Sequence, residues 1–134
     1  MEAGERRALE IARAATGAAP EAEGRALRVR RLDRPDEYYL VLLEGAAVAA
    51  VDVSRGETLS WAATERPHLA VDEDDARRLA GAEPAAQAEL VWRSSAESRS
   101  PLYPLWAVSL GDTTLYVDQQ GGVWPELHPE GRGG

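Results

Sequence analysis

The sequence predicts an α+β fold: a tandem repeat in which one helix packs on a three- to four-stranded antiparallel sheet. Three observations carry that prediction. The 134-residue chain overlays itself: shifted by 66 residues, 35–59 falls on 101–125 without a gap. Pro35 meets Pro101, Gly45 meets Gly111, Val51-Asp52 meets Val117-Asp118 and Gly56 meets Gly122, so the shared positions are the turn-makers themselves. A two-residue slip then lays 17–20 over 81–84, which puts a glycine-closed helix ahead of the strands in each copy. The resulting division is a first repeat at 1–66, a second at 67–128 and a disordered tail at 129–134, with both repeats expected in one compact unit.

Taken in order, residues 5–15 carry Ala8, Ile11, Ala12 and Ala15 at helical spacing, a small-residue face that can lie flat on a sheet. Gly17 is placed to stop this helix. Residues 26–32 alternate, with Leu27, Val29 and Arg31 on one face and Arg28, Arg30 and Leu32 on the other. Residues 38–43 are apolar at both parities, the mark of a strand covered on both sides. The helix covers one face; the other copy, a second protomer or a partner must cover the second. Residues 48–53 and 57–62 complete the first copy around the Asp52–Gly56 turn.

In the second copy Asp72 is placed as an N-cap, with Asp75 three residues on and Val71 able to staple against Ala76. The run Asp72-Glu73-Asp74-Asp75 faces the positive end of the helix dipole, so it reads as a cap rather than a calcium ligand. Gly81 ends this helix. Strands follow at 89–94, 105–110, 113–118 and 123–127, with Gly111-Asp112 fitting a II′ hairpin. Arg66–Leu69, with Pro67, is the linker-like stretch.

Composition bounds the function. There is no Cys, which excludes a disulfide scaffold, a thiolate metal site and a thiol nucleophile. All 15 basic residues are Arg, and the net charge of −8 argues against nucleic acid and anionic membrane as main partners. That acidity is uneven: residues 1–66 hold 12 acids and 10 arginines, residues 67–134 hold 11 acids and 5 arginines. No apolar run approaches the roughly 20 residues that span a bilayer. The charged start, without an apolar h-region, gives a cytoplasmic expectation, or export if a leader had been removed.

The order of elements resembles the PepSY domain, in two copies spanning 1–63 and 70–128 (a PepSY/cystatin-like arrangement). The stretch from Arg7 to Gly17 fits that family's Ala-x-x-x-Ala helix closed by glycine. The stretches 50–58 and 116–124 fit its final apolar-Val-Asp hairpin, with Arg55 and Gly121 where the family has Thr. The resemblance implies a small module that inhibits or binds a protein partner such as a peptidase, and usually an exported one.

Chemistry is sparsely represented. His68 and His128 have no His or Cys at ligand spacing, and no G-x-S-x-G, P-loop or dinucleotide fingerprint occurs. Asp52 and Asp118 are explained by their turns, and Ser94, Ser95, Ser98 and Ser100 by a solvated, flexible loop. No catalytic residue, metal or cofactor is therefore expected, and the chain reads as a non-enzyme.

Binding features are stronger. Trp92, Tyr103, Trp106, Tyr116 and Trp124 all fall in the second copy, and Tyr and Trp combine large apolar area with a polar tip. Trp106, Tyr116, Trp124 and Tyr103 are the candidate surface, against the alternative that they fill a core without Phe. Arg28 and Arg30 share a face and can grip carboxylates, against the alternative that they pair with the chain's own acids. The expected function is a protein-interaction module, with self-association as a further option. Two alternatives stand beside it: a small-molecule or peptide site in a cleft between the two sheets, and a toxin-neutralising immunity-type protein.

Overall fold

A computed structural model describes residues 2–129. Of the tail expected at 129–134, only Pro129 falls within them; residues 130–134 lie outside. The fold is α+β, with two helices and eight strands among the described residues. The chain divides into two compact units, the first ending at His68 and the second starting at Leu69.

The first unit runs α1 (Ala3–Thr16), β1 (Gly24–Arg31), β2 (Glu37–Leu43), β3 (Ala47–Asp52) and β4 (Glu57–Ala63). Its strands lie in the order β4-β3-β2-β1, each antiparallel to its neighbour. α1 buries Ala8, Leu9, Ile11 and Ala12 against Tyr39, Val41, Leu43, Ala49 and Val51. Burial of Leu9 and Ile11 contributes roughly 2 kcal/mol each. The close approach depends on Gly24, where a Cβ would meet the Leu9 and Leu43 methyls at 2.8 Å. β1 starts two residues earlier than the alternation of 26–32 indicates, because Gly24 and Arg25 pair with Leu43 and Leu42 of β2. β2 is buried at both parities from Tyr38 to Leu43, as its unbroken apolar run demands.

The second unit runs α2 (Glu73–Leu79), β5 (Ala88–Trp92), β6 (Leu105–Leu110), β7 (Thr113–Val117) and β8 (Val123–Trp124), with the strands antiparallel in that order. The Asp72 carboxylate accepts the Asp75 N–H at 2.8 Å, the cap its position predicts. The rest of the acidic run pairs with the helix's own arginines: Arg77 with Glu73 and Asp74, Arg78 with Asp75. Gly81 (φ 71) closes α2 in a Schellman motif, with Ala82 N–H on the Arg77 carbonyl and Gly81 N–H on that of Arg78. Gly111 has φ 64 and Asp112 no positive φ, the combination a II′ hairpin requires.

One device recurs in both units. The Arg13 guanidinium donates from Nε and Nη2 to the Ala22 carbonyl, at 3.2 and 2.7 Å. Arg77 Nε donates to the Ala86 carbonyl at 2.6 Å. Each arginine lies four residues before the closing glycine and bonds a carbonyl nine residues ahead, so it ties the helix end to the chain entering the first strand.

β8 covers two residues, where 123–127 was expected. Pro125 removes the next ladder donor, and the chain turns away so that His128 C=O accepts the Ala96 N–H at 2.8 Å. β5 ends at Trp92 rather than 94, because the following serines build a turn of their own. Among the described residues no helix is long and apolar enough to cross a membrane.

Candidate functional site

The register of the second sheet sorts its aromatics. Trp106 lies opposite Leu90 on one side and Val117 on the other, while Tyr116 lies opposite Ala107 and Trp124. Cross-strand partners share a face, so Trp106 and the Tyr116–Trp124 pair point to opposite faces. The expectation that Trp106 belongs to a docking surface is corrected: it is 7% exposed, and its indole N–H donates to the Val71 carbonyl at 2.8 Å. Trp106 is a core residue that fixes the segment entering α2. Tyr116 is half-buried, Trp124 is 36% exposed, and Tyr103 is 58% exposed in the loop before β6.

Trp124 is exposed but held. Its indole N–H donates to Asp118 Oδ2 at 2.9 Å, while Asp118 Oδ1 accepts the Gln120 and Gly122 N–H groups at 2.8 Å each. The positive φ of this turn belongs to Gly121 (φ 87), not to Gly122, which was expected to match Gly56 (φ 65). Gly122 is needed for space: a Cβ there would stand 2.6 Å from Asp118 Oδ2 and 2.9 Å from Trp124 Nε1. Gly122→Ala is therefore expected to cost about 2 kcal/mol in urea unfolding and to shift the Trp124 indole N–H resonance. Gly56→Ala, open on all sides, should cost about 1 kcal/mol through backbone strain alone.

The serine-rich loop is not the solvated, flexible stretch its composition indicates. Ser95 and Ser98 are buried. Ser95 N–H donates to the Ser98 carbonyl at 3.0 Å, and the Trp92 indole donates to Ser98 Oγ at 3.0 Å. Ser98 Oγ donates in turn to the Tyr103 carbonyl at 2.6 Å, which anchors the exposed tyrosine at its backbone. Beside this loop the Glu97 side chain, 2% exposed, accepts the His128 N–H at 3.0 Å and its Nδ1–H at 2.5 Å. Burial pushes the Glu97 carboxyl up, but the two His128 hydrogen bonds, a bond from its own main-chain N–H and the His128 charge together bring it below its ordinary value. The Glu97 hydrogen bond raises His128 in return.

In the first unit, Asp52 and Arg31 form a buried charged cluster that the turn reading of Asp52 only half describes. Asp52 Oδ1 accepts the Ser54 hydroxyl at 2.7 Å and the Arg55 N–H at 3.2 Å. Its Oδ2 lies 3.9 Å from both Arg31 Nη2 and Arg55 Nε. Burial pushes this carboxyl up, yet the Ser54 and Arg55 hydrogen bonds and the Arg31 and Arg55 charges bring it below its ordinary value. The Arg31 guanidinium stands 5.5 Å from the Tyr38 ring centroid and 3.7 Å from Asp36 Oδ1. Its buried Nε and Nη2 make no hydrogen bond among the described residues. Burial pushes the Tyr38 phenol strongly up. The cluster was legible in part, because Arg31 shares its strand face with Leu27 and Val29.

Arg28 is engaged by its own unit, with Glu2 at 2.9 Å and Glu37 at 3.4 Å, so the pairing alternative describes it better than a grip on external carboxylates. Such exposed pairs add little to stability, because water and salt screen them. Arg30 lines a cleft of about 540 Å³ in the first unit, with Gly4, Pro35, Asp36, Glu37, Tyr39, Val53 and Ser54. Among the described residues no group of three His, Asp or Glu side chains is placed to hold a metal ion. No protein family, no curated protein and no solved structure matches the chain.

Proposed function

We propose that the chain is a non-enzymatic protein-interaction module that binds or restrains a protein partner such as a peptidase. It is built as two PepSY-like repeats of one helix on a small antiparallel sheet. Support for the repeat comes from the matched guanidinium ties at Arg13 and Arg77 and from the glycine that closes each helix. The observation that carries the function is Trp124: more than a third exposed, clamped by Asp118, and paired across the strands with Tyr116. A large aromatic already fixed in one orientation loses little entropy on docking, which is the property of an interface anchor. Tyr103, backed by the Ser98 network, is the second anchor.

The test is capture from an extract of the native host, followed by calorimetry with the purified captured protein. Trp124→Ala is expected to weaken that binding at least tenfold, and Tyr103→Ala by a smaller factor. Equal affinity of the wild type and both variants would overturn the reading. A second reading, a small-molecule or peptide ligand, is favoured by the first-unit cleft around Tyr39 and Arg30. Its mixed charges and largely apolar walls suit a ligand with both polar and apolar parts.

A further inference from the structure

The segment that follows β8 ends on a group built for titration. Leu127 C=O accepts from Arg93 Nη2 at 3.0 Å, His128 C=O accepts the Ala96 N–H, and both the main-chain N–H and Nδ1 of His128 meet the Glu97 carboxylate. The other face of the histidine turns to the proposed anchor. Its ring stands edge-to-face with Trp124, centroids 6.3 Å apart and planes at 80°. The charged groups around the imidazole are Glu97, Glu126 at 3.8 Å from Nε2, and Arg93, which holds the carbonyl of the preceding Leu127.

We infer that residues 125–128 form a pH-controlled strap over the docking surface, in which protonated His128 binds the buried Glu97 carboxylate and lays its ring against Trp124. Loss of that proton loosens the strap and uncovers the indole. The inference rests on the reading of Trp124 as an anchor. The ionised Glu97 carboxylate strengthens a bond from either form of the ring, and the protonated ring adds the attraction of opposite charges, which is lost with the proton. A neutral imidazole can still donate from Nδ1, and Arg93 still holds Leu127, so the strap slackens at its His128 end rather than detaching. The sign follows from the direction of the shifts. A histidine raised in the folded chain stabilises fully below its unfolded value of about 6.5 and loses that contribution as pH rises through the folded value. Glu97, lowered, keeps its charge throughout that range. The strap is therefore tight in mildly acidic solution and loose in alkaline solution.

Nuclear magnetic resonance on the full chain, without a partner, tests this across about pH 5 to 9. The His128 imidazole is expected to titrate above an ordinary histidine. Protection of the Ala96 and His128 amides, corrected for intrinsic exchange, should fall severalfold through the same midpoint, and the Trp124 indole resonance should move with it. In Glu97→Gln the His128 midpoint should drop and the step in protection vanish, while the Ser95–Ser98 turn stays protected. Unchanged protection of both amides through the His128 titration would overturn the strap, as would a midpoint unaffected by Glu97→Gln. Because no partner takes part, failure of capture overturns the anchor reading alone. With a captured partner in hand, affinity should rise with pH in the wild type and stay flat in His128→Gln; a flat wild-type profile overturns control of docking.

Discussion

Asp52→Ala is expected to destabilise the first unit by about 3 kcal/mol, while Arg31→Met should change its stability by no more than about 1 kcal/mol. Both residues are buried, at 1% and 6% exposure. Removing the carboxylate strands a guanidinium whose Nε and Nη2 already lack hydrogen bonds, and leaves the Ser54 hydroxyl and Arg55 N–H without their acceptor. Removing the guanidinium instead takes out an expensive cation and keeps a side chain of similar volume, with Asp52 still satisfied by its own turn. Urea unfolding of the two variants measures the contrast; equal losses would contradict it. The acid limb supplies a second check. Asp52 is held below its unfolded value, so its contribution is complete above about pH 4 and is lost as pH falls through the folded value. Asp52→Ala should flatten that limb.

Asp118→Ala should cost the second unit about 3 kcal/mol, because one side chain satisfies the Gln120 and Gly122 N–H groups and the Trp124 indole together. Asp118→Asn separates the roles. The amide oxygen still accepts the two backbone donors, but its NH₂ faces the indole N–H, donor against donor. Roughly half of the stability loss should therefore remain, and the Trp124 indole proton should exchange freely with solvent. If both variants keep that proton protected, Trp124 is not held by Asp118 and its value as an anchor falls.

Most of the element order is legible in the sequence because the turn-makers state it: Gly17, Gly81, Gly111, the Asp72 cap and the doubly apolar 38–43 all act as their chemistry indicates. What was illegible depended on partners far along the chain. Nothing near Trp106 announces the Val71 carbonyl that draws its indole inward. Nothing in four serines shows that two of them are buried and that one of these takes the Trp92 indole. The Glu97–His128 contact is invisible in the sequence because its partners stand 31 residues apart. Pro125 is the sequence signal that β8 stops short of 127. The exchange of roles between Gly121 and Gly122 was also hidden. Either glycine can take a positive φ, and only the position of the indole decides which one must give up a Cβ.

The guanidinium ties at Arg13 and Arg77 bear on the order in which the chain acquires structure. Each closes a loop of only nine residues, and closure entropy grows slowly with loop length while short-range contacts form fastest. The end of each helix and the entry to its first strand are thus joined by local chemistry alone, before the long connection from β5 to β6 has to close. Loops that short favour early formation of the two corners, to which the strands can then add.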